Sequence, residues 1–159
     1  MKIKNKILKL SELLKKLPAL RRQGRVIAFT NGCFDLMHIG HVKYLEDAGR
    51  DNRVLIVGLN SDKSISRIKG PSRPIVEQKS RAAVLAALES VDFVVIFNED
   101  TPYKTISVVK PDILIKGADW KGRSVVGEDL VKKVEFIKFV KGFSTTNIIE
   151  KIINNEKRS

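Results

Sequence analysis

Short, almost unbroken apolar runs recur through this sequence at residues 25–30, 54–59, 93–97, 113–116 and 136–140. A helical or polar stretch follows each. Strands without polar alternation suit burial on both faces, which is the signature of parallel pairing, and parallel strands need a crossover that is usually a helix. Helical patterns fall at 39–49, 80–89, 101–109 and 128–133, and from Ser144 to about Asn155. The order predicts an α/β fold: one doubly wound parallel sheet of five strands, in a single domain.

Composition narrows the class. Apolar residues make up 43% of 159 residues, enough for a sizeable core. No apolar run approaches the roughly 20 residues of a membrane span. The leucines after the basic N-terminus are interrupted by Glu12, Lys15 and Lys16, unlike a signal-peptide core. The single cysteine, Cys33, rules out an intramolecular disulfide and fits a reducing cytoplasm, the expected location. The net charge of +12 suits phosphorylated ligands. A basic nucleotide- or nucleic-acid-binding module is the non-enzymatic alternative, but the lysines are scattered and no aromatics interleave with them as a stacking platform would need. The expectation is no nucleic-acid partner and no membrane.

Residues 1–24 read as a leader helix (Ile7 to Gln23) with a leucine stripe, ended or kinked by Pro18 and closed by Gly24; residues 25–159 read as the functional domain. Leucines left exposed on the leader would favour a dimer. Residues 60–79, which contain Lys69-Gly70-Pro71-Ser72-Arg73-Pro74, read as one long loop, a common place for function. In open α/β sheets ligands bind outside the carboxyl ends of the strands, so the loops at 30–38, 60–73, 116–120 and 141–147 should converge.

The densest motif is Phe29-Thr30-Asn31-Gly32-Cys33-Phe34-Asp35-Leu36-Met37-His38-Ile39-Gly40-His41. It holds both histidines of the chain. Gly32 would allow a sharp turn after the strand, and Gly40 a close approach of a ligand to the helix backbone. Helix N-terminal amides attract an anion. His38 and His41, three apart, share a helix face and could donate hydrogen bonds to phosphate oxygens as charge develops. A metal bound by Cys33, Asp35, His38 and His41 is less attractive, since their spacing matches no usual zinc pattern. Cys33 has no separate His–Asn pair to activate it as a nucleophile.

Gly142-Phe143-Ser144-Thr145-Thr146-Asn147 opens the last helix. Two readings stand for it: Ser144 or Thr145 as an ordinary N-cap, and the whole cluster as a second phosphate cradle. Lys69 and Arg73 could pair with phosphates. Arg81 opposes the dipole at a helix start, which suggests an outside anion. Asp119 could accept from sugar hydroxyls, and Trp120 could cover an apolar face.

These motifs resemble the cytidylyltransferase-like nucleotidyltransferases of the HxGH type. The segments T-N-G-C-F-D-L-M-H-I-G-H, K-G-P-S-R-P, P-D-I-L-I-K-G-A-D-W and G-F-S-T-T-N-I-I are most similar to the branch that makes ADP-heptose from D-glycero-β-D-manno-heptose 1-phosphate. The resemblance runs from about Lys9 to Ile153. It implies a Rossmann-like fold and AMP transfer from ATP to a sugar 1-phosphate, assisted by Mg2+. It implies that His38, His41 and Lys69 act on the reacting phosphates. Thr30, Asn31, Gly32, Phe34, Gly40, Arg73, Ser144, Thr145 and Thr146 would bind the nucleotide, and Asp35, Lys116 and Asp119 the sugar phosphate. Many relatives carry a fused ribokinase-type sugar kinase; here a separate heptose kinase is expected to supply the phosphosugar. G-A-D-W-K-G also resembles the glycerol 3-phosphate cytidylyltransferases, so a cytidylyltransferase acting on an alcohol phosphate is the alternative.

Overall fold

The computed structural model describes residues 2–138, 140 and 142–156. Five parallel strands form one sheet: β1 (Val26–Gly32), β2 (Arg53–Asn60), β3 (Phe93–Phe97), β4 (Ile113–Gly117) and β5 (Lys133–Ile137), in the order β3-β2-β1-β4-β5. The helices are α1 (Leu10–Arg22), α2 (Ile39–Ala48), α3 (Asp62–Lys69), α4 (Gln78–Ala87), α5 (Tyr103–Val109) and α6 (Thr145–Glu156). The expected doubly wound, Rossmann-like α/β fold is the fold observed. The winding direction reverses between β1 and β4, which places the switch point at the motif-bearing strand.

Strand periodicity divides the core into two layers. Ala28, Leu55, Val57 and Ile115 pack with Tyr44 and Leu45 of α2 and Leu85 of α4 on one face. Ile27, Phe29, Ile56 and Leu114 pack with Leu13 and Leu17 of α1 and Ile106 of α5 on the other. Adjacent strand residues point to opposite faces, so both faces being covered explains the unbroken apolar runs.

The leader contributes to this second layer. Leu13 and Leu17 are buried, and Leu8, Leu10, Leu14 and Leu20 are partly buried against it, so the exposed leucines that favoured a dimer are not found there. Helix α1 continues through Pro18, contrary to the expected break. Pro18 is exposed, so the carbonyl that loses its partner faces the solvent side. Ahead of the helix, Ile7 bridges to Val94, with Leu8 N donating to Val94 O (3.0 Å) and Val94 N to Lys6 O (2.8 Å).

Three local expectations need correction. Residues 62–69 form α3 rather than loop; Ser61 caps it, accepting from Ser64 N (3.1 Å). The fifth strand is Lys133–Ile137, earlier than 136–140, and its edge position tolerates the alternating Lys133 and Glu135. The brief helix expected at 128–133 is a single 3-10 turn, Glu128–Leu130. Phe139, which the sequence assigns to the fifth strand, and Lys141, which it assigns to the last loop, lie outside the described residues.

Candidate functional site

The carboxyl ends of the strands surround a cavity of about 510 Å³. From β1 and its turn come Asn31, Gly32, Phe34, Asp35 and, at the start of α2, His41. Lys69 ends α3, Arg73 follows it, Lys116 is the penultimate residue of β4 and Thr145 opens α6. Sequence positions from 31 to 145 therefore meet at one sheet edge.

His38 is the N-cap of α2, and its carbonyl accepts from His41 N (2.9 Å) and Val42 N (3.2 Å). The two imidazoles are stacked, with centroids 3.8 Å apart. Phe34 meets His41 edge-on at 5.2 Å. Among the described residues no partner reaches the buried Nδ1 atom of either ring. Burial pushes His38 down from the usual histidine range. Burial, then the neighbouring His38, and also Lys69, bring His41 down to about 4, outweighing the Leu36 backbone contact. Without a ligand both rings are neutral at pH 7.

The two glycines of the motif serve by the space they leave. The left-handed backbone of the turn is at Phe34 (φ +44°), not at Gly32. A Cβ on Gly32 would lie 3.0 Å from the Phe34 ring, so glycine lets that ring fold back over the strand. A Cβ on Gly40 would lie 3.0 Å from His38 and 3.5 Å from the Phe143 Cβ. The start of α2 is thus in contact with the turn that begins α6. At that second helix end, Ser144 Oγ accepts from Asn147 N (3.0 Å), which makes Ser144 a capping residue. Thr145 faces the cavity, and Thr146 is exposed beside it. Helix N-terminal amides of this kind suit anions.

Lys116 is buried at the base of the cavity. Its Nζ donates to Asn31 Oδ1 (2.5 Å) and lies 5.5 Å from the centre of the Trp120 ring. Burial lowers it to about 8, partly opposed by Asp119. Thr30 is buried behind the cavity, its hydroxyl 2.7 Å from that of Tyr44. Asp119 is exposed at the rim.

Asp35 is fully engaged. It accepts from Arg73 Nε (2.6 Å), Ile75 N (2.9 Å) and Val76 N (2.9 Å). Burial alone would raise its carboxyl, but the Val76 and Ile75 amides and Arg73 together hold it below the usual carboxylate range. Arg81, expected to face an outside anion, is fully buried instead. It donates to Val76 O (2.8 Å), Cys33 O (2.5 Å) and Asp62 Oδ1 (2.7 Å), and so ties the motif turn to α3 and to the loop before α4. Its partners are two of the protein's own carbonyls and the Asp62 carboxylate, which together satisfy the charge that the helix start disfavours.

Asn60 and Ile68 fall within the 60–73 segment expected to converge here, though no motif marks either, and Asp100-Thr101-Pro102 after β3 carried no sequence signal. Only their position at strand ends could have pointed to them. Among the described residues no three His, Cys, Asp or Glu side chains gather as a metal site. No helix among the described residues is long and apolar enough to cross a membrane.

The sequence matches the family described as Cytidylyltransferase-like over residues 29–152. It is similar to the "Bifunctional protein HldE" of Aliarcobacter butzleri, 53% identical over 154 residues, or 96% of this chain and 32% of that protein. Proteins of the same description from Nitratiruptor sp. (59% over 133 residues; 84% of this chain, 29% of the relative) and Campylobacter jejuni subsp. jejuni serotype O:6 (61% over 136 residues; 86% and 30%) are also similar. The chain spans about a third of the length of these relatives. A solved structure, the lipopolysaccharide core biosynthesis protein from Thermoplasma volcanium GSS1, aligns with a TM-score of 0.58 and 28% identity, covering 74% of this chain and 98% of that one.

Proposed function

We propose that this chain, which belongs to the cytidylyltransferase-like family, transfers AMP from ATP to D-glycero-β-D-manno-heptose 1-phosphate, giving ADP-heptose and pyrophosphate. The observation that carries this reading is the meeting of His41, Lys69, Arg73 and Thr145 around one cavity that has the buried Lys116 at its base. The similarity to proteins described as HldE and to a lipopolysaccharide core biosynthesis protein supports the choice of acceptor.

In this reading a phosphate oxygen of the sugar 1-phosphate attacks the α-phosphorus of ATP. The bond from that phosphorus to the bridging oxygen breaks, and pyrophosphate leaves with the bonding electrons. The phosphate is already a nucleophile, so no strong base is needed, and positioning with charge neutralisation supplies the catalysis. His38 and His41 donate hydrogen bonds to the reacting phosphates with Lys69. Gly40, Thr145, Thr146 and the capped turn at Ser144 cradle the triphosphate. Asn31, Gly32, Phe34 and, from behind, Thr30 shape the nucleotide pocket. Arg73 reaches the phosphates while Asp35 holds its loop. Lys116 and Asp119 serve the sugar phosphate.

Mg2+ would enter on the triphosphate, held by phosphate oxygens and retained waters, and would neutralise charge there. The cavity carboxylates suit this arrangement: Asp35 is occupied by Arg73, and one oxygen of Asp100, Oδ1, by Arg67 (2.8 Å). A heptose kinase supplies the acceptor, and the reaction takes place in the cytoplasm.

The test is pyrophosphate release with ATP or CTP against heptose 1-phosphate, glycerol 3-phosphate and flavin mononucleotide. Release with ATP and heptose 1-phosphate is expected. Turnover of another pair instead would overturn the substrate assignment. Salt-sensitive nucleic-acid binding with no pyrophosphate from any pair would overturn the enzyme reading.

A further inference from the structure

One side of the cavity contributes nothing to phosphate binding. It lies at the ends of β2 and β3, where Asn60, Asp100 and Thr101 form the wall. Asn60 is the last residue of β2, pairs in register with Phe97, and is only 4% exposed. A buried amide needs partners for its polar atoms.

Its neighbours determine which way the amide faces. Ser64 Oγ donates its one proton to Glu99 O (2.8 Å). That oxygen can therefore only accept from Asn60, 3.0 Å away, and the atom meeting it must be Nδ2. Oδ1 is left on the other side. Among the described residues no donor reaches it, and it is not one of the polar atoms closed off from solvent. Asn60 thus presents an acceptor oxygen to the cavity it lines. Asp100 adds a second: Arg67 Nε occupies Oδ1, and no donor among the described residues takes Oδ2.

A carbonyl oxygen beside a carboxylate repels phosphate and attracts groups that donate, of which a sugar hydroxyl is the simplest. Position selects which sugar. Asn31, which holds Lys116, pairs in register with Gly58. Asn60 lies two residues further along β2 and one strand across from Asn31, about 8 Å from it at the usual strand rise and spacing, which is within reach of a phosphosugar whose phosphate is seated on Lys116.

We propose that Asn60 Oδ1, assisted by Asp100, accepts hydrogen bonds from hydroxyls on the sugar of the acceptor, and so selects a polyhydroxylated phosphosugar. This rests on the reading that the acceptor is a sugar phosphate. The ribose of the nucleotide offers the same chemistry, and the experiment separates the two.

Steady-state kinetics of the full chain and of Asn60→Ala would be measured with each substrate varied in turn. The KM for heptose 1-phosphate should rise about 10- to 100-fold, with the KM for ATP and kcat within about 3-fold of the parent. An unchanged acceptor KM, or a rise confined to ATP, overturns the proposal. Deoxy analogues of the acceptor, tried on the unaltered protein, give a measurement that does not depend on the variant folding. At least one should lose about 10-fold or more in kcat/KM, and that loss should disappear in Asn60→Ala. No loss with any analogue overturns the proposal. Turnover of the parent protein with ATP and heptose 1-phosphate tests the functional reading separately. If another hydroxylated acceptor is the one used, the same comparison is run on it, and an unchanged KM there still removes Asn60 from acceptor binding.

Discussion

His41 is held neutral in the ligand-free protein, at about 4, by burial and by its cationic and imidazole neighbours. A bound triphosphate reverses that balance, because a nearby anion favours the protonated ring. The complex then holds more protons than the free protein. Nucleotide binding should take up protons near pH 6 and should tighten as pH falls from the ordinary histidine range toward 4. Calorimetry in buffers of different ionisation enthalpy measures the uptake, and His41→Asn should show only the part due to the nucleotide itself. His41→Ala should lower kcat by about 10²-fold or more with an unchanged far-UV spectrum. Lys116 presents the opposite trade. Its folded value, about 8, is below the ordinary 10.5, so folding releases a proton that the unfolded chain keeps. Stability should therefore rise with pH between those two values. Lys116→Met should remove that slope and add about 1–3 kcal/mol in urea unfolding at pH 7, while turnover is lost. The histidine pair was legible in the sequence because the chain has no other histidines to confuse it. Asn60 was not, because the direction of its amide depends on a serine and a carbonyl that only the fold brings close.

At the scale of elements, α3 was hidden by the punctuation that follows it. The glycine and prolines of 70–74 lie beyond the helix, and the eight residues before them are mostly polar, so no apolar period marks them. Yet α3 brings Lys69 to the cavity and, through Asp62, receives one arm of Arg81. Arg81 joins three separate segments, which makes it the place where stability and site geometry coincide. Arg81→Met would leave the Cys33 and Val76 carbonyls without their donor. We expect a loss of about 2–4 kcal/mol in urea unfolding, with a raised KM for ATP in the protein that remains folded. The strand–turn–helix at β1 and α2 was easier to read: an apolar run, a glycine turn and a cap are all local signals. The boundary of β5 was not, since an edge strand with a charged face lacks the unbroken apolar run of its neighbours.

For the whole molecule, the doubly wound sheet followed from the alternation of apolar runs and helices, because parallel strands buried on both faces permit few other arrangements. The contact of the leader with β3 had no such signal, since one bridging residue, Ile7, leaves no pattern in sequence. That contact covers an edge that would otherwise present unpaired backbone to other chains. Leu8→Pro removes the donor to Val94 O and should increase association on warming, as seen by light scattering, at unchanged initial activity. The net charge of +12 should also make the ATP on-rate fall with added salt. Finally, the cavity carries two sets of groups: those assigned to the triphosphate come from β1, α2, α6 and the Lys69 to Arg73 segment at the end of α3, whereas Asn60 ends β2 and Asp100 follows β3. Acceptor preference is then a transplantable trait. Exchanging Asn60 and the residues directly after β3 between related proteins could redirect the nucleotidyl group to a new alcohol or sugar phosphate, leaving the transfer chemistry as it stands.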